Sequence, residues 1–271
     1  MARMIPSSRM KRLCIIALLT ISSSAFAGLT YKAQSTTTGM QTMSIVGTVS
    51  VDGTHMRMDV AKGDNMMFKD NSIVLSNDGG KTMSVYDPAA KTYFDLQLHD
   101  LLGNTSSMLK GLGDMVKFSF DNPHVAVRDE GDGGTVEGFP THKFMLDASY
   151  DMNIDAMGQK VTTHMTMNTE TWATEQLSSE MTNFLQMRGV RTGIEGIDKL
   201  IEAQSAAVHG FPLKQVSTVH VSQGSNDMAM TTTSTITEVM KKNIDAANFA
   251  SPSGYTKVDD PITKMIKSMK Q

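Results

Sequence analysis

The sequence has almost no cysteine. Its single cysteine, Cys14, lies in an apolar run near the amino terminus, and none follows it. Disulfides, cysteine-based zinc sites and thiol catalysis are therefore excluded for the rest of the chain. The seven histidines are scattered, and no two have the spacing of a zinc motif such as H-E-x-x-H. We therefore predict no metal site from the usual nitrogen and thiolate ligands.

Motifs for catalysis are missing as well. The serines do not lie in a G-x-S-x-G elbow, and nothing in the sequence pairs two carboxylates in one cleft. The glycine-rich stretches lie between predicted strands and do not open helices, so they lack the context of a phosphate-binding loop. We predict that the protein is not an enzyme, with no catalytic residues and no cofactor.

The amino terminus has the pattern of a secretory signal peptide. Four basic residues precede the apolar run "LCIIALLTI", and Ala25 and Ala27 supply the A-x-A pattern of a cleavage site. Residues 1–27 are predicted to be removed, leaving 28–271 as a single domain that is periplasmic or secreted. No later segment is long and apolar enough for a transmembrane helix, so the mature chain is predicted to have none.

The charge balance of the predicted mature chain is mildly acidic. The sequence has 25 Lys and Arg against 28 Asp and Glu, and the leader takes four of the basic residues, which leaves 21 − 28 = −7. Nucleic acids require clustered Lys and Arg to meet their phosphates. Nucleic acid is therefore not expected as a partner.

The hydrophobic pattern predicts antiparallel strands with a few helices. Period-2 apolar positions separated by turn residues predict a meander from Gly28 to about Tyr93. A broad helical stripe is predicted from about Leu96 to Leu112. Strands then resume through "VKFSF" and "HVAVRDE", and "GDGG" is interpreted as a flexible turn.

The last third contains a near-repeat. "GFPTHKF" at Gly138 and "GFPLKQV" at Gly210 each open a strand that leads to a Met-x-Met strand. Further elements are predicted as follows: helices over Leu177–Leu185 and Ile194–Val208, strands over Leu213–Val221 and Met228–Val239, a short helix near Ile244, and a closing segment "FASPSGYTKV" that lays Tyr255 back on the fold.

Methionines at alternate positions mark the candidate site. Because strand side chains alternate between faces, each Met-x-Met pair points to one side of its sheet. Three interpretations are open: core filling, the lining of a cavity for a hydrophobic ligand, and soft thioether ligation of Cu(I). The predicted lining residues are Met56, Met58, Met165, Met167, Met228 and Met230.

Several motifs resemble a known family. "GGKTMSVYDPAAKTY", "EGFPTHKF", "TETWATEQL", "GFPLKQVST", "TITEV" and "NFASPSGYTKV" resemble, in this order, the secreted bacterial domain-of-unknown-function family 4412 and, more distantly, the periplasmic lipoprotein-carrier superfamily. The resemblance covers nearly the whole mature chain. It implies a mainly β (α+β) fold, with a curled antiparallel sheet forming a half-barrel, helices plugging its concave face and an apolar cavity between them. It brings no catalytic residues, and the lipobox of the membrane-anchored relatives is missing.

The sequence thus favours a soluble periplasmic protein that binds a hydrophobic small molecule or lipid as a carrier or sensor. An envelope protein-interaction module without a ligand is the alternative. Copper binding through methionine is the third interpretation.

Overall fold

The computed structural model describes residues 28–39, 42–97, 116–156, 159–177 and 195–269, and the predicted signal peptide lies outside them. Within these residues the chain is mainly β, and twelve strands form one curled sheet. The first six strands are β1 Gly28–Thr38, β2 Met43–Asp52, β3 His55–Gly63, β4 Ile73–Ser76, β5 Thr82–Asp87 and β6 Thr92–Gln97. The others are β7 Val116–Val136, β8 Phe139–Ala156, β9 Gln159–Thr174, β10 Phe211–Gln223, β11 Asn226–Lys242 and β12 Thr256–Lys257. The helical elements are the 3-10 helices η1 Glu175–Leu177 and η2 Ala246–Phe249, and the α-helices α1 Glu195–Ala207 and α2 Pro261–Met269.

The sheet consists of two meanders that meet at the amino-terminal strand. The strand order is β12-β6-β5-β4-β3-β2-β1-β11-β10-β9-β8-β7. The first meander runs outward from β1 to β6, and the second returns from the opposite edge at β7 to β11, which pairs with β1. Neighbouring strands are antiparallel except β12 and β6. Because the outermost strands β12 and β7 do not pair with each other, the sheet is not closed.

The predicted first meander and the predicted closing segment are confirmed. Tyr255 returns to the sheet and packs edge-on against Tyr86, with 5.2 Å between the ring centroids. Immediately afterwards β12 pairs with β6. The carboxyl-terminal segment therefore protects the outer edge of the first meander.

The prediction of two strands and a flexible turn over residues 116–134 is wrong. These residues form one edge strand, β7, whose pairing with β8 shifts register at three irregularities. Bulges absorb extra residues in a strand without ending it, which explains how the glycines are accommodated. A proline at an edge removes no ladder hydrogen bond if its nitrogen faces outward, so Pro123 is also tolerated.

The helix predictions have mixed outcomes. The helix over Ile194–Val208 is confirmed as α1, which packs against β7 and β8, and the one near Ile244 is η2. Leu96 and Gln97 belong to β6, because Leu96 pairs with Met83 and is buried among apolar side chains. The rest of that predicted helix, and Leu177–Leu185 beyond Leu177, lie outside the described residues.

One face of the sheet carries the hydrophobic core. Leu29 and Tyr31 of β1 pair with Val51 and Val49 of β2 on this side, and all four are buried. Phe211 packs edge-on against Tyr31 at 5.7 Å between ring centroids and belongs to the same cluster. We call this side the core face and the opposite side the outer face.

Candidate ligand-binding face

The strand register places all six predicted methionines on the core face. Met56 and Met58 pair with Val51 and Val49, which are buried residues of that face. The other four follow the same alternation on β9 and β11. Whether these methionines line a ligand site remains a prediction.

Four of the methionines lie close together in two cross-strand rows. Met230 of β11 is level with Val219, Met167 and Ala148 of the next three strands. Two residues nearer the hairpin tips, Met228 is level with Val221, Met165 and Tyr150. We call these eight residues the methionine rows. Val219 and Val221 are not among the predicted lining residues, and their alternation with His220 is the signal that could have found them.

The remaining two methionines belong to the core. Met56 and Met58 pack against the buried cluster that contains Leu29 and Val49. Met58 is level with Tyr31 of β1, through Val49. The methionine rows begin beyond Thr38, which pairs with Thr231. Tyr31 and Thr38 are seven residues apart on β1, which corresponds to roughly 23 Å. The structure therefore does not bring Met56 and Met58 close to the four methionines of the rows.

A belt of uncharged polar residues separates the core from the methionine rows. It consists of two further rows on β1, β11, β10 and β9 of the core face. They are Thr37, Thr232, Ser217 and Thr169, and Ser35, Ser234, Gln215 and Thr171. We call them the hydroxyl rows. Along the strands, the core face thus changes from apolar core to polar belt to apolar methionine rows.

Hydrogen bonds connect neighbouring members of the hydroxyl rows. Within one row the hydroxyl oxygens of Thr37 and Thr232 are 2.9 Å apart, and those of Thr169 and Ser217 are 2.8 Å apart. In the other row Ser35 and Ser234 are bonded at 3.0 Å. Since two hydroxyls that bond to each other use only one of their two O–H donors, each pair keeps hydrogen-bonding capacity for another partner.

Most charged side chains in this part of the sheet lie on the outer face, but Asp129 of β7 is level with Phe144 and Thr171 and is an exposed carboxylate on the core face. Lys143 and Lys214 flank Trp172 on the outer face, with their Nζ atoms 5.0 and 4.6 Å from the ring centroid. Lys143 also pairs with Glu170 at 2.7 Å, and the outer-face Lys32 pairs with Glu238 at 2.6 Å. By contrast, all sixteen members of the hydroxyl and methionine rows are uncharged.

The apolar surface continues past the methionine rows toward the hairpin tips. On the core face Met152 and Ile154 of β8 extend it, and Ile154 pairs with Val161. From Met167 to Val161 this track is about 20 Å long at the rise of a β-strand. One acyl chain spans about half of the roughly 30 Å hydrocarbon thickness of a bilayer. The track is therefore longer than one acyl chain.

The methionines of the rows are neither buried as core nor fully exposed, whereas Ala148 is buried in a core cluster with Leu146, against which Met167 and Tyr150 pack. The side chains of Met165, Met167 and Met230 are half-buried, whereas Met228 is 41% exposed. Burial raises the pKa of the Tyr150 hydroxyl above its ordinary value, which agrees with an apolar environment. The face therefore has apolar surface left to cover.

The rows do not bring methionine sulfurs together across neighbouring strands. Val219 stands between Met230 and Met167, and Val221 stands between Met228 and Met165. Copper ligation requires several soft ligands to converge on one point. Among the described residues, no group of three or more His, Cys, Asp and Glu side chains could hold a metal ion either.

A separate cleft lies at the other edge of the sheet. It has a volume of about 90 Å³ and is bordered by Met66, Phe94 and Pro261 together with Lys69 and Asp87. Sites for drug-sized ligands are commonly about 300–1,000 Å³. This cleft is too small for a lipid. No helix in the described ranges is long and apolar enough to cross a membrane.

Comparison with known families gives a match that covers most of the second meander. Residues 133–255 match the family model of DUF4412, a domain of unknown function. This part of the chain is a DUF4412 domain. It contains β8 to β11 and therefore both methionine rows. The DUF4412 match begins after the first meander, so it covers less of the chain than the sequence resemblance predicts, and "GGKTMSVYDPAAKTY" lies outside it.

Two solved structures show weak likeness. A LolA superfamily protein from Nitrosomonas europaea aligns with a TM-score of 0.32 and 8% identity, over 84% of this chain and 91% of that one. PNGF-II aligns with a TM-score of 0.32 and 12% identity over 88% of this chain, which spans 33% of PNGF-II. Among curated proteins, none is similar in sequence to this chain.

Proposed function

We propose that the protein binds a hydrophobic ligand, a lipid or an acyl chain, on the methionine rows, and that it acts as a carrier or sensor without catalysis. The observation that carries the proposal is an uncharged apolar face on which Met165, Met167 and Met230 are only half-buried and Met228 is 41% exposed. Burying such surface stabilises a complex by about 25 cal/mol per Å².

The chemistry of methionine suits this role. Its unbranched thioether side chain adapts to ligands of varied shape, which a row of β-branched residues does less well. In this proposal the sheet is a lipoprotein-carrier-like half-barrel with helices over its concave face, and the protein works in the periplasm or outside the cell. The length of the apolar track accommodates one acyl chain.

Native mass spectrometry of the mature chain, purified from periplasm without detergent, tests the proposal. We expect an adduct of lipid mass that is lost on denaturation. Met230→Glu should abolish it, because the charge would be buried under the ligand. Ala229→Glu is the matched control, since Ala229 is the preceding residue of β11, exposed on the outer face beside His220. A bare mass after incubation with lipids would refute lipid binding.

Exposed apolar residues at one end of the core face favour a second candidate, the docking of another envelope protein. Met43, Met228 and Val161 are 37, 41 and 38% exposed, and contiguous apolar surface commonly marks interaction sites. A photo-crosslinking residue at position 228 should then capture one protein in cells, while the same residue at position 229 should not. Absence of a protein crosslink, together with a lipid adduct, would decide for the carrier.

A further inference from the structure

The core face of the second meander is free of charge over its hydroxyl and methionine rows, and this limits the ligand's chemistry. An ionic head group bound here would lose hydration without meeting a compensating charge, which is costly. The two lysines that flank Trp172, Lys143 and Lys214, lie on the outer face. Side chains on opposite faces of a sheet cannot contact one ligand.

The hydroxyl rows can form hydrogen bonds with a neutral head group. They lie directly beside the methionine rows, about 7 Å away along each strand. Thr232, Ser217 and Ser234 are half-buried and hence partly accessible, and their hydroxyl pairs retain donor and acceptor capacity. Threonine is also a common strand residue with its own cross-strand bonding, so the experiment must separate a binding role from a structural one.

We propose that the ligand of this face is an uncharged, hydroxylated lipid with a single acyl chain, of the monoacylglycerol class. The acyl chain lies on the methionine rows and the apolar track beyond them. The glycerol hydroxyls bond to the hydroxyl rows. This inference rests on the proposed lipid-binding function and specifies which head group the site accepts.

The test compares two lipids that share a palmitoyl chain and a glycerol unit. Binding of monopalmitoylglycerol and of palmitoyl-lysophosphatidylglycerol to the mature chain is measured by titration below their micelle-forming concentrations. We expect the neutral lipid to bind at least about tenfold more tightly, because the phosphate charge has no charged partner among the residues of the hydroxyl and methionine rows. Equal affinity, or tighter binding of the phospholipid, would overturn the inference while leaving lipid binding intact. If neither lipid binds, the proposed function fails and the inference with it.

Variants on one strand separate binding from folding. Thr232→Val removes a hydroxyl from the core face and should weaken monopalmitoylglycerol binding about 3- to 10-fold, the value of one hydrogen bond. Thr232→Ser keeps the hydroxyl and should restore affinity. Thr233→Val is the control, because Thr233 is the next residue, is also half-buried and lies on the outer face opposite Val216. Equal effects of Thr232→Val and Thr233→Val on affinity would refute a head-group role, and urea unfolding midpoints of all variants would reveal any purely structural loss.

Discussion

The two Gly-Phe-Pro turns provide a matched pair for testing how the strands of the second meander are positioned. Gly138 precedes β8 with φ +81°, and Gly210 precedes β10 with φ +88°. A Cβ added at Gly138 meets nothing within 4 Å, whereas one added at Gly210 lies 2.7 Å from the carbonyl oxygen of Thr174. Replacing each glycine by alanine therefore applies the same backbone strain with and without a steric clash.

The two substitutions should lower the free energy of unfolding by different amounts, and the difference is the energy of the steric clash at Gly210. An L-residue in the left-handed region costs about 1–2 kcal/mol, so Gly138→Ala should destabilise by about 1 kcal/mol after the smaller unfolded-state entropy is counted. At Gly210 the backbone of Thr174 must also move. Thr174 is 1% exposed and pairs with Phe211, so we add about 2 kcal/mol for overpacking and expect about 3 kcal/mol.

Urea unfolding of the mature chain gives both values. The single tryptophan, Trp172, reports on β9 beside the Gly210 turn, so its fluorescence follows the unfolding of this region. Wild-type protein and Gly138→Ala serve as controls for Gly210→Ala. If the two variants have the same midpoint, the close approach at Gly210 has no energetic consequence and the reasoning is wrong.

Three further predictions concern stability. Phe211→Ala should lower the free energy of unfolding by about 3–5 kcal/mol in urea titrations, because Phe211 is a 1% exposed core residue. Lys214→Ala should cost about 0.5–1 kcal/mol in the same assay, since its Nζ lies 4.6 Å from the ring centroid of Trp172. Backbone N–H groups of the following turn and the Lys69 ammonium hold the pKa of Asp87 below its ordinary value. The stabilisation from the Asp87 carboxylate is present above the ordinary aspartate pKa and is lost as the pH falls through the lowered pKa of the folded state. Asp87→Asn should therefore lower the urea midpoint at neutral pH and change it little in strong acid.

Local signals in the sequence predict the first meander well and the long edge strand badly. Residues such as Val49 and Val51 alternate with polar neighbours, and turn residues separate the strands, so strand and turn are both encoded locally. In β7 the same reasoning fails, because Pro123 and Gly131 are typical strand breakers. Their tolerance depends on the strand lying at an edge with bulges, and this is a property of the assembled sheet.

The candidate site was predictable only in part for a similar reason. Alternation along a single strand places Met165 and Met167 on one side of it, so this part of the site was predictable. The pairing of Ser35 with Ser234 joins residues 199 positions apart, and no local pattern sets that register. The hydroxyl rows, and their place beside the methionine rows, therefore appear only in the folded sheet.

The central position of β1 has a consequence for how the chain reaches its native state. Most neighbouring strands within a meander are joined by short connections, and even the longer one from Thr174 to Phe211 is far shorter than the loop of most of the chain that closes when Gly28 joins Lys242. Contacts of such high sequence separation form slowly. We expect the two meanders to form as separate units and the β1–β11 junction to be the late, rate-limiting step. Until it forms, β1 and β11 each present an unpaired edge, which is when the protein is most exposed to aggregation and most in need of protection.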